Sequence, residues 1–296
     1  MLPLALPLEY TLPPVHLNVS CTLLVGVFSA KVAGRAYVRQ TWGRDMADDI
    51  CLWFIVGKTA AASNVSSAAL IDEYAAHGDI LLLHGHSESY GSLPWKSLSF
   101  YAAAVRSSLR SLTHLLKTDD DVFVNLPAVR RVLPLLERQQ CYVGYVYGGI
   151  EPDRNRQGKY RDHVYERRHM AQAAHGGGSG SSSTGTNDTV VRYPPFVDGI
   201  GELMSVDVAS CIARQLPTYE VPSTLADVVT GHAASALCSV LPCSGRRSGC
   251  LLLPGHLHAA WPLLPEGEQT LFVRHSDRSI VLDRYRGRLR FLLRSN

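Results

Sequence analysis

Short apolar runs alternating with stretches that suit helices constrain this chain more than any other feature. The runs are Cys21–Phe28, Cys51–Gly57, Ile80–Leu83 and the pair Leu115-Leu116. Cys21–Phe28 lacks clean period-two alternation, as a strand buried on both faces does. Between the runs, a helix is expected after Ser29, carrying Arg35, Arg39 and Trp42, and another over Ser66–Ala76. A third is expected from Trp95 to Leu112, with Leu98, Ala102, Val105 and Leu109 as its apolar positions. Strands alternating with helices predict an α/β domain with a mainly parallel central sheet. Ligands of such sheets bind beyond the carboxyl ends of the strands.

At one such end stand three consecutive aspartates, Asp119-Asp120-Asp121, directly after Leu115-Leu116-Lys117-Thr118. Adjacent like charges repel, and a divalent cation relieves that repulsion. Mg²⁺ and Mn²⁺ favour hard oxygen ligands and leave positions for phosphate and water, so the triplet predicts a metal-assisted nucleotide-diphosphate site. The competing reading is a solvated acidic turn. The apolar flank Val122-Phe123-Val124 favours the site, because a surface turn needs no such anchoring.

Other candidates carry two readings each. Arg35 and Arg39 lie four apart, so a helix sets both guanidinium groups on one face, either for an anionic ligand or to pair with Asp and Glu. Asp227, in Leu225-Ala226-Asp227-Val228, is a general base for an acceptor hydroxyl or else a helix cap or surface acid. His256, with His258 and His275, is a candidate late metal ligand or a surface histidine. A helix is expected from Val206 to Gln215, and strands over Gln269–His275 and Ser279–Leu282.

A formal net charge of +3 is too small to argue for nucleic acid but suits an anionic substrate. The opening segment is apolar, short and punctuated by proline, without the basic flank of a signal peptide. No apolar run reaches the 18 or so residues of a membrane helix. Seven cysteines leave at least one unpaired within the chain. Cys21, Cys51, Cys141 and Cys211 are expected as buried thiols, whereas Cys238, Cys243 and Cys250 allow a small disulfide loop. Asn18, Asn64 and Asn187 head N-glycosylation tripeptides.

Ordered motifs resemble the β-1,3-glycosyltransferase family of β-1,3-galactosyltransferases, β-1,3-N-acetylglucosaminyltransferases and, more distantly, the Fringe enzymes. Arg35 to Gly43 resembles the family's early arginine and Thr-Trp-Gly motif, and Phe54–Gly57 and Glu73–Ile80 follow in order. Ser89, Tyr90, Leu93 and Lys96 resemble its next block, with Glu88 where Asp is usual and Trp95 where a smaller residue is usual. Lys117 to Asn125 is the strongest match, and Tyr193–Gly201 resembles the acceptor-side motif. Ala226-Asp227-Val228 stands where the family normally has Glu-Asp-Val.

The resemblance implies a GT-A-like α/β fold and inverting transfer from UDP-galactose to a glycan with Mn²⁺ as cofactor. Its implied roles are Asp121 as metal ligand, Asp119 and Asp120 as nucleotide-sugar contacts, and Asp227 as base. Arg35 and Arg39 would support the donor site or the fold beneath it. N-acetylglucosamine transfer and a catalytically silent glycan-binding homologue are the alternatives. The domain expectation is an irregular lead-in over 1–20, a catalytic domain over 21–250 with a flexible insertion at 171–189, and an extension over 251–296 packed on the same domain. Golgi residence on the luminal side is implied, with the usual membrane anchor missing from this sequence.

Overall fold

The computed structural model describes residues 9–13, 20–58, 67–153, 160–168 and 191–242, together with three short strands between 272 and 291. The chain runs β1 (Tyr10–Thr11), β2 (Leu23–Phe28), α1 (Val32–Gln40), β3 (Ile50–Lys58), α2 (Ser67–His77), β4 (Ile80–Ser87) and α3 (Leu93–Arg106). It continues through β5 (His114–Asp119), β6 (Val122–Val124), α4 (Leu126–Val132), β7 (Tyr142–Val143), β8 (Val146–Tyr147) and β9 (Phe196–Val197). Then come β10 (Glu202–Ser205), α5 (Val206–Gln215), α6 (Ala226–Cys238) and β11 (Phe272–Arg274).

The expected α/β architecture is present. One sheet of seven strands has the order β1-β4-β3-β2-β5-β10-β7. Neighbours β4, β3, β2 and β5 are parallel, while β10 runs antiparallel to both β5 and β7 and β1 antiparallel to β4. After β2 the chain builds outward through β3 and β4, then returns through α3 to lay β5 on the other side of β2. Strand order therefore reverses between β2 and β5, the topological switch point at which open sheets bind ligands.

Alternate residues of β2 and β5 feed two cores. Leu24, Leu115 and Met204 pack with Phe100, Ala103, Ile212 and Ala233 beneath α3, α5 and α6. Leu23, Val25, Leu116 and Leu203 pack with Val38, Leu70 and Val129 beneath α1, α2 and α4. Both faces are apolar, which is why β2 reads as a continuous hydrophobic run.

Several boundaries differ from the sequence expectation. α1 ends at Gln40, and Trp42 lies beyond it, because the Gly43 amide returns to the Val38 carbonyl (2.9 Å). α3 stops at Arg106: Ser107 is extended and its hydroxyl takes the Ala104 carbonyl (2.6 Å), leaving Leu109 and Leu112 outside the helix. β4 extends to Ser87, and β10 occupies the four residues between Gly201 and Val206, to which the sequence reading assigned no element. Cys211 is not a free thiol; it bonds Cys238, tying α5 to the last residue of α6. Cys21, Cys51 and Cys141 are the expected buried thiols. Cys243, Cys250, His258, His275, the 171–189 insertion and the glycosylation asparagines lie outside the described residues.

Candidate active site

β5 ends at Asp119, whose register partner on β2 is Phe28. The chain then turns through Asp120 and Asp121 into β6, so the three carboxylates diverge. Asp119 and Asp121 line a cleft of about 700 Å³, with Asp121 exposed. Asp120 instead folds back toward α1, where its Oδ2 accepts from the Ser29 hydroxyl (2.6 Å). Gly34 makes that close approach possible, since a Cβ there would stand 2.0 Å from the same oxygen. Burial raises the Asp120 pKa, opposed by the Ser29 hydrogen bond. Behind the turn, the Trp42 indole donates to the Val122 carbonyl (2.9 Å), and the Asn125 side chain caps α4. The Thr-Trp-Gly motif thus holds the aspartate turn from beneath.

The second wall comes from residues 193–201 and the start of α6. Asp227 lies in the first turn of α6, but Leu225 is the N-cap, so the aspartate is not spent on capping. Its Oδ2 accepts from the Gly199 amide (3.0 Å) and its Oδ1 from Lys117 Nζ (2.9 Å), while its side chain stays 32% exposed on the cleft. A Cβ at Gly199 would stand 2.8 Å from Asp227, so this amide contact requires glycine. Lys117, 2% exposed on β5, also reaches Glu202 Oε2 at 3.3 Å. Burial alone would lower the lysine's pKa; the charges of Asp227 and Glu202 outweigh it and raise the value. The Tyr101 hydroxyl donates to Glu202 Oε1 from behind. Burial also raises Glu202, opposed by Lys117. Thr118 completes the join by donating to the Ile200 carbonyl (2.8 Å).

Aromatic side chains furnish much of the remaining wall. Tyr147, Tyr193 and Phe196 line the cleft around the β8–β9 pair, and Tyr90 and Tyr160 meet edge to face at its mouth, 6.4 Å between centroids. Phe28 lies beside two ammonium groups, Lys96 at 5.6 Å and Lys117 at 5.4 Å from its ring centroid. Lys96 pairs with Glu88 at 2.8 Å, so the longer acid keeps a carboxylate in that block. Ala226 presents only a methyl to the cleft.

Of the residues singled out in the sequence, the fold therefore brings Asp119, Asp121 and Asp227 into one cleft. Arg35 and Arg39 are directed elsewhere: Arg35 pairs with Glu73 (2.5 Å), and Arg39 with Glu73 and Asp79 (both 2.7 Å). They join α1 to α2 and to the residue before β4, and neither lines the cleft. His256 lies outside the described residues. Among the described residues no three His, Cys, Asp or Glu side chains cluster as a metal cage. Lys117 and Glu202 went unassigned in the sequence. The signal was a lysine inside an apolar strand two residues before an aspartate, a spacing that puts both on one face.

Comparison with known proteins identifies the family. A galactosyltransferase family model matches residues 33–238, well over half of the chain. A probable beta-1,3-galactosyltransferase 1 of Arabidopsis thaliana is 32% identical over 39% of this chain and 32% of its own. Human beta-1,3-galactosyltransferase 2 is 25% identical over 65% of this chain and 42% of its own. The chain thus spans well under half the length of either relative. Mouse xyloside xylosyltransferase 1 aligns with 76% of this chain and 84% of that one at 11% identity and a TM-score of 0.32, too slight a likeness to support an inference. Because the matched stretch runs from the first turn of α1 to the end of α6 and takes in both aspartate-bearing walls, the chain belongs to the galactosyltransferase family, among the β-1,3-glycosyltransferases.

Proposed function

We propose that this chain transfers galactose from UDP-galactose to a glycan hydroxyl, forming a β-1,3 linkage with inversion at the anomeric carbon. The observation that carries the reading is the shared cleft: Asp119 enters it from the end of β5, Asp121 from the turn that follows, and Asp227 from α6. The names of the Arabidopsis and human relatives support galactose as the sugar and β-1,3 as the linkage.

Asp227 is the general base. It takes the proton of the acceptor hydroxyl as that oxygen bonds to the anomeric carbon and the bond to the UDP oxygen breaks. The aromatic wall gives the sugars an apolar surface, and the polar groups around it fix their orientation. Asp119 and Asp121 offer only carboxylate oxygens, a donor set that fits Mn²⁺ or Mg²⁺ held by one or two carboxylates plus substrate phosphate. A cation bound there supplies charge stabilisation for the departing diphosphate. Asp120 would act on the donor through the turn it anchors, and Arg35 and Arg39 through the helix they fix.

The Cys211–Cys238 bond supports an oxidising compartment such as the Golgi lumen. No helix among the described residues is long and apolar enough to cross a membrane.

The test is to incubate the protein with Mn²⁺, a panel of UDP-sugars and mixed glycan acceptors while measuring UDP release and product mass. Acceptor-dependent turnover of UDP-galactose is expected. Turnover of UDP-N-acetylglucosamine instead would correct the donor, and no turnover with any pair would reject the enzyme. Asp121→Ala should weaken metal-dependent donor binding about tenfold or more without unfolding the protein, since the side chain is exposed.

A further inference from the structure

Packing alone does not explain Lys117. It shares a sheet face with Leu115, and its register partner across the β5–β10 ladder is Glu202, also fully buried. The next two rungs pair Leu116 with Leu203 and Leu115 with Met204. A buried ion pair is commonly no more stabilising than apolar side chains of similar volume. A charged rung beside apolar ones therefore calls for a reason other than stability.

The reason lies in what the ammonium touches next. Lys117 Nζ is closer to Asp227 Oδ1 (2.9 Å) than to Glu202 Oε2 (3.3 Å). Tyr101 holds Glu202 from behind, and the Gly199 amide holds the other Asp227 oxygen. Each carboxylate oxygen has two acceptor positions, so these two bonds orient the group without exhausting it.

Resting on the base role given to Asp227 above, we propose that Lys117 and Glu202 are positioning residues for that base. Glu202 fixes the lysine, the lysine and the Gly199 amide fix the carboxylate, and its remaining lone pairs face the acceptor hydroxyl. Neither Lys117 nor Glu202 need touch a reacting atom. A small displacement of a reacting group is enough to slow chemistry by orders of magnitude.

The experiment compares wild type, the single variant K117M and the double variant K117M/E202L, measuring kcat, both KM values and thermal unfolding. The double variant removes both charges together, so neither is left buried alone. Expected is a folded double variant whose kcat falls about 100-fold while its KM for the UDP-sugar changes by less than about threefold. A folded double variant with wild-type kcat overturns the proposal, as does one whose loss lies wholly in KM. If the double variant does not fold, the isosteric E202Q decides: a fall in kcat of about fivefold or more at unchanged donor KM supports the proposal, and an unchanged kcat overturns it. Wild-type protein that transfers no sugar overturns the enzyme reading and this proposal together, whereas full-rate transfer by K117M/E202L overturns this proposal alone.

Discussion

On the α1 and α2 face, Arg35 and Arg39 meet Glu73 and Asp79; on the opposite face, Lys117 meets Glu202 and Asp227. Both groups pair buried or half-buried cations with two acids, yet their surroundings differ. The acids of the arginine group bind α1 to its neighbours and do not line the aspartate cleft. In the lysine group, one carboxylate is fully buried and the other opens on the cleft. Where the last carboxylate points thus separates a group enclosed within the fold from one that presents an acid to the cleft, the geometry on which its proposed chemical role rests.

Breaking the lysine group at its open end should have the largest effect. Asp227→Asn keeps the side-chain shape but removes the proton acceptor, so transfer should fall about 10²- to 10⁴-fold with donor binding retained. Full-rate transfer by this variant would strip the group of its chemical role.

The arginine group should answer with stability instead. Glu73→Gln leaves the buried Arg35 charge without its partner and should cost about 3–5 kcal/mol, with turnover per folded molecule preserved. Burial raises the Glu73 pKa, but hydrogen bonds from Arg35 and Arg39 outweigh it and the net shift is downward from 4.5. A depressed carboxylate stabilises above its unfolded value and loses that contribution as pH falls through the folded one. Denaturant unfolding should therefore show wild type losing stability below about pH 4.5, with that acid-dependent part absent in Glu73→Gln. Parallel stability profiles would dissolve the contrast between the two groups.

A smaller effect should come from the support beneath the aspartate turn. Trp42→Phe leaves the Val122 carbonyl without its indole donor and should destabilise by about 1–3 kcal/mol in thermal unfolding. No change in unfolding would show that the turn stands without it.

Much of this was legible in the chain. Apolar runs at helical separations gave the parallel strands, and the aspartates after Leu116 marked the switch point, because local pattern decides both. Asp227 stood out as base or cap in its local sequence and motif resemblance implied the base, but its place opposite β5 depends on long-range packing that no local pattern carries. The arginines illustrate the limit: spacing of four correctly put them on one face of a helix, but not whether that face met substrate or Glu73. β10 escaped notice because four residues beginning with glutamate look like a loop until β5 supplies the lysine across the ladder.

The Glu202–Lys117 rung also bears on how the sheet is assembled. A strand as short as β10 has few side chains with which to choose its alignment between β5 and β7. Sliding it by one residue would turn Glu202 and Met204 to the opposite face, set an acid among Val25, Leu116 and Val143, and take from the lysine its cross-strand acid. The charge pair therefore disfavours misaligned strands, and the rung proposed to position Asp227 also helps the chain find its register.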